Sequence, residues 1–195
     1  MLAGAIGMLG TVGAARAAVP PSVSYAEGIV NQQIEEGYFW INHDEDTHAL
    51  HALQRALQIQ SDNIEALLML GAVQAHQGDP AAARQTLLRL ENAHGSNEQI
   101  AALRQWIAQP PVDRAALAHA RATADAGHAT QAMFQYRALF PQPLLPPALE
   151  VEYDRVLSGA PLGYDDAVRR LRTLLSIGPH DMEARIALDQ SLGYR

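Results

Sequence analysis

The chain contains no cysteine. That absence excludes a disulfide framework, a thiolate zinc site and a cysteine nucleophile together. Lysine is missing too, so all fourteen basic side chains are arginine, a coding bias of a GC-rich genome that carries no chemistry of its own. Aromatic residues make up only 6%, and Val, Ile and Thr are sparse beside Ala, Leu, Gln and Arg. Summed intrinsic propensity therefore favours helix over strand along most of the length. With a formal charge of −7 and a pI near 5.5 there is no basic stripe to neutralise phosphates, so nucleic acid is not an expected partner. What is present in quantity is apolar surface: 48% of 195 residues, enough for one domain or one short repeat array with a continuous core.

The first seventeen residues read as an export signal. Leu2 to Ala15 are apolar or small and uncharged, and Ala15-Arg16-Ala17 is the small-x-small pattern cut by signal peptidase. The stretch is too short to span a bilayer, and Pro20-Pro21 follow at once. Four glycines in the first thirteen residues also disfavour a soluble helix. The n-region lacks Lys or Arg, which a start codon placed too far downstream would explain. The expected division is a signal peptide over 1–17, a linker over 18–26, and a mature chain without a transmembrane segment.

Beyond the linker the sequence repeats. From Asn63 to Gly95 an apolar stretch, a glycine, a tight turn and a second stretch predict a helical hairpin. Leu67, Leu70, Gly71 and Gln74 share one face of its first helix at i, i+3, i+4 and i+7, and Gly71 admits a neighbour closely. Gly78 suits a left-handed helix end, and Asp79-Pro80 supplies an N-cap and a first-turn proline. The second helix buries Ala83, Leu87 and Leu90. Thirty-four residues earlier stand Ala49, Leu53 and Ala56; later come Ala132, Tyr136, Leu139 behind Gly127, then Ala167, Leu171, Leu174 before Pro179. The gap of 49 residues from Ala83 to Ala132 requires an inserted helix, placed at Asn97 to Ala108, with Trp106 plugging the irregular junction. After Pro179, Asp181-Met182-Glu183-Ala184 restarts the pattern of Asn63-Ile64-Glu65-Ala66, a first helix without its partner and so with an uncovered apolar face. Pro110-Pro111 and the run from Pro141 to Pro147 fall between units and read as hinges.

Leu70-Gly71, Gly78, Ala83 and the closing Pro179 resemble the tetratricopeptide repeat. The fold expected is all-α: a helical-hairpin solenoid wound as a right-handed superhelix, with about four repeats, one inserted helix and an unpaired terminal helix. Repeats one and two with the inserted helix occupy 27–108; repeats three and four with the start of a fifth occupy 109–195. Ala116-Leu117, Ala120-Arg121, Gly127-His128, Tyr136, Leu139-Phe140, Glu152-Tyr153 and Pro161, together with the inserted helix, resemble the N-terminal repeats of the bacterial cellulose synthase operon protein C family. That resemblance implies a periplasmic scaffold leading, in the family, to a C-terminal outer-membrane barrel through which cellulose leaves the cell. No barrel sequence is present here, so only the scaffold part is carried over, as a truncated frame or a fragment. The partners implied are other proteins of the cellulose synthesis and export machinery, with the glucan chain or cell wall as further contacts. The alternative from another class is a free-standing exported adaptor or co-chaperone that binds a peptide in its groove.

Stacked hairpins present their first helices on a concave side, which makes Glu65, Leu68, Ala72 and His76 in one unit, and Arg114, Leu117, Arg121 and Asp125 in the next, the expected partner-binding rows. The segment from His43 to His51 crowds carboxylates and imidazoles; His48 and His51 could share a metal. The same residues suit an inter-helix turn, with Asp44 to Asp46 capping the second helix, and that reading is taken, with no metal and no cofactor expected. Use of this cluster by a lytic or hydrolytic accessory factor is the remaining alternative. Tyr38, Phe39 and Trp40 are consecutive, so they point in different directions on a helix and at least one lies outside the core, where it could stack on a sugar ring or cover the open end of the array. No nucleophile motif and no phosphate loop occurs, and no enzymatic activity is expected.

Overall fold

A computed structural model describes residues 25–109, 112–141 and 145–193. The described residues form ten helices and no strand: α1 (Tyr25–Ile41), α2 (Asp46–Ile59), α3 (Ile64–His76), α4 (Pro80–Asn92), α5 (Asn97–Ala108), α6 (Arg114–Asp125), α7 (Ala129–Leu139), α8 (Pro147–Gly159), α9 (Tyr164–Ile177) and α10 (Met182–Gly193). Four antiparallel hairpins result, α1/α2, α3/α4, α6/α7 and α8/α9, with α5 inserted after the second and α10 following the fourth. The signal-peptide reading lies outside the described residues. Of the expected linker, Tyr25 and Ala26 are already helical. No described helix is long and apolar enough to cross a membrane.

The hairpin boundaries follow from local chemistry. Asn63 accepts from the Ala66 N–H at 2.9 Å to start α3, and Asp79 accepts from the Ala82 N–H at 2.9 Å to start α4, each satisfying an otherwise orphaned donor. Between α3 and α4, Gly78 takes φ +79°; between α6 and α7, Gly127 takes φ +82°, a conformation that costs an L side chain energy and glycine none. Ser96 and Gln99 close a reciprocal capping box that starts α5.

The small and large apolar positions of the second helices are inside: Ala49, Leu53, Ala56, Ala83, Leu90, Ala132, Tyr136, Ala167, Leu171 and Leu174 are buried, while Leu87 and Leu139 are half-buried. Gly71 receives α5, because a Cβ there would stand 2.7 Å from the Leu103 side chain. Trp106 is buried in the same cluster. Between α8 and α9 lies a charged core: Arg170 Nη2 donates to Glu150 Oε2 at 2.7 Å and Arg170 Nε to Asp154 Oδ1 at 3.1 Å, both carboxylates being fully buried. Desolvation pushes both carboxylates above the usual range against the pull of the shared guanidinium, and the neighbouring Glu150 raises Asp154 further.

Two apolar clusters result. One is confined to the second half, with Leu117, Met133, Tyr136, Leu145, Leu157 and Ala167. The other unites the first half with Val151, Leu171, Leu174, Ile177, Ala184 and Ala187 of the second. Helix α1 touches α8 and α10, so the array curls back until its last helices lie against its first.

Candidate protein-binding surface

This closure decides where the expected binding rows fall. On α3, Glu65 is 9% exposed, Leu68 0% and Ala72 3%; Glu65 is bonded to His180, and Ala72 lies beside Pro146 to Leu149 of the chain's own second half. His76, at the end of α3, is exposed and pairs with Asp46 Oδ2 at 3.1 Å, a hydrogen bond that raises the imidazole above its ordinary pKa. On α6, Arg114 and Asp125 are exposed, Leu117 is buried in the second cluster, and Arg121 is half-buried. Arg121 holds Glu152 through Nε at 2.9 Å and Nη2 at 2.7 Å, and its Nη2 also lies 3.8 Å from Asp44. That bidentate contact raises its pKa further and ties α6 to α8 and to the α1–α2 turn.

The seam between the halves is polar and specific. Glu65 accepts three hydrogen bonds: Tyr38 Oη at 3.1 Å, the His180 backbone N–H at 3.0 Å and His180 Nδ1 at 2.6 Å. Burial and the neighbouring Glu65 and Asp181 hold the Tyr38 phenol well above its ordinary pKa, so it stays a donor. Gln99 Nε2 donates to the Ile177 carbonyl at 3.0 Å. Asn42 Nδ2 reaches Asp181 Oδ1 at 3.4 Å, and that same oxygen caps α10 through the Ala184 N–H at 2.9 Å. Desolvation raises Asp181 to about 6.

None of Tyr38, Gln99, Asn42, His180 or Asp181 was singled out by sequence as a seam residue. His180 and Glu65 are 115 positions apart, and no helical periodicity joins them.

The His43 to His51 segment disperses. Residues 42–44 form the turn, Asp44 sits at φ +58°, and Glu45 is the N-cap residue without a side-chain cap bond. Capping by carboxylate side chains is thus replaced by Asp46 in the first turn reaching out to His76. Among the described residues, no three His, Asp or Glu side chains converge as metal ligands. Of the aromatics, Tyr38 is buried, Phe39 is 48% exposed, and Trp40 is half-buried. His43 stacks on Phe39 with ring centroids 4.2 Å apart and His48 on Trp40 at 4.7 Å, so imidazoles of the same chain cover ring area a sugar would need.

Repeated α-hairpins with a small residue at each crossing, two of them turning at a left-handed glycine, define the fold class: an all-α, tetratricopeptide-type helical-hairpin solenoid. A tetratricopeptide repeat family model matches residues 47–107. Within that class its repeats resemble those of the cellulose synthase operon C proteins. The chain is 39% identical over 173 residues to cellulose synthase 2 operon protein C of Komagataeibacter xylinus, covering 89% of this chain and 13% of that one. It is 33% identical over 179 residues to cellulose synthase operon protein C of Xanthomonas axonopodis pv. citri (strain 306), covering 90% of this chain and 12% of the relative. Only a small part of the relatives' length is therefore spanned. The crystal structure of the flexible tandem repeat domain from the C component of bacterial cellulose synthase superposes with a TM-score of 0.53 at 23% identity, over 84% of this chain and 68% of that one, a likeness of fold.

Proposed function

We propose that the chain is a non-catalytic periplasmic repeat scaffold that holds proteins of a bacterial cellulose synthesis and export machinery together, with residues 1–17 directing export. The observation that carries this reading is the extent of similarity to proteins named for cellulose synthase operons, which runs through nearly all of the repeat array. The surfaces available to partners in the closed form are the exposed ends of the two rows: His76, Arg114 and Asp125, with Arg121 beside them. Glu65, Leu68, Ala72 and Leu117 contribute only if the halves part. A glucan chain or the cell wall is a secondary contact.

The test is genetic and biochemical. Deleting the gene in its cellulose-producing host is expected to lower secreted cellulose, and the wild-type gene to restore it; undiminished cellulose in the deletion strain would remove this reading. Mass spectrometry of the periplasmic fraction is expected to find a mature N-terminus at Ala18.

A further inference from the structure

The inner face of the first half is occupied, and its occupant is read in the way a bound peptide is read. The turn between α9 and α10, Ile177 to Asp181, lies against three helices at once. From α5, Gln99 donates to the Ile177 carbonyl at 3.0 Å; from α3, Glu65 accepts from the His180 N–H at 3.0 Å and from its imidazole at 2.6 Å. From α1, the Tyr38 hydroxyl stands where a side chain on Gly178 would begin, so only glycine fits. Tyr38 cannot swing aside, because its ring is 1% exposed and its hydroxyl is bonded to Glu65. Ile177, 2% exposed, fills the apolar floor. Main-chain recognition at two points, one apolar anchor, one glycine slot and one imidazole partner are a complete recognition set for a turn-forming segment.

We infer that the Ile177–Asp181 turn is a built-in ligand that keeps this face closed, and that the face admits a turn-forming segment of another protein with the same apolar–Gly–Pro–His chemistry when the turn is displaced. A tethered ligand competes at an effective concentration on the order of millimolar, so the closed molecule rejects weak guests and opens only to a segment that reproduces its contacts. The inference rests on the reading of the chain as a protein-binding scaffold. It does not depend on the cellulose assignment, so a failed binding assay and an unchanged cellulose phenotype are separate results.

The experiment uses the full chain and a fluorescein-labelled peptide of residues 174–185, followed by anisotropy. Wild type is expected to bind it weakly. Gly178→Ala expels the internal turn, keeps the receptor face intact and is expected to bind the peptide at least about tenfold more tightly. Adding Glu65→Gln, or placing alanine at the peptide's glycine, is expected to abolish that gain. Unchanged affinity in a helical, folded G178A chain would overturn the inference. Should G178A fail to fold, His180→Ala removes one contact without adding bulk; an affinity no greater than that of wild type would overturn it equally. A concentration-dependent wild-type dimer in which His180 of one copy crosslinks to Glu65 of another would assign the face to a second copy and also overturn it.

Discussion

At the scale of single residues, buried charge is the dominant liability. Arg170 serves two carboxylates that are both fully buried, and removing it would leave them without a counter-ion. Arg170→Met is expected to lower unfolding free energy by about 3–5 kcal/mol, measured by urea denaturation. Because both carboxylates have raised pKa values in the fold, the proton they retain favours folding at low pH. That contribution is lost as pH rises from the ordinary carboxylate range through their folded-state values, so the stability of α8–α9 declines from mildly acidic pH upward. Asp181 follows the same sign. Its carboxyl is raised from 3.8 to about 6 by desolvation, so the penalty for burying it is absent below the lower value and complete above the upper one. Asp181→Asn keeps an acceptor for the Ala184 N–H and removes the charge. It is expected to stabilise the protein by about 3 kcal/mol at pH 8 and by next to nothing near about pH 3.5; equal gains in melting temperature at both pH values would contradict this.

At the scale of helices, the sequence carries most of the information, because a hairpin is specified by short-range pattern. The thirty-four-residue recurrence of Ala49, Leu53 and Ala56 at Ala83, Leu87 and Leu90 reports one interlocking face repeated, and the glycines that end α3 and α6 report a backbone requirement. The inserted helix was legible as a spacing defect. Gly71 shows why it settles where it does: Leu103 occupies the room that a Cβ would need. Gly71→Ala is expected to cost about 1–3 kcal/mol by overpacking, and hydrogen exchange should speed up in α5 before it does in α7. The binding rows were less legible. Helical periodicity identified Leu68 and Ala72 as sharing a face, but it could not say that the second half would cover that face. Turn chemistry at 177–181 and side chains on α1, α3 and α5 decide that, and no local pattern records contacts 78 or 115 residues apart.

At the scale of the whole molecule, α9 binds the two clusters into one cooperative unit. Ala167 belongs to the cluster of the second half, whereas Leu171, Leu174 and Ile177, one to three turns further on, belong to the cluster shared with the first half. A single calorimetric transition is therefore expected for wild type. Leu157→Ala, at a fully buried site of the second-half cluster, is expected to lower that transition as a whole, by about 2–5 kcal/mol, without splitting it. Two separate transitions in the wild type would show that the halves fold independently.

The contact of α1 with α10 also has a mechanical consequence. In an open stack, tension between the two ends would be shared along every interface in series. Here α1 and α10 are neighbours, so a pull applied at these two helices loads their seam first and spares the hairpins. The protein would then yield like a buckle, lengthening its reach in one step while each repeat stays intact.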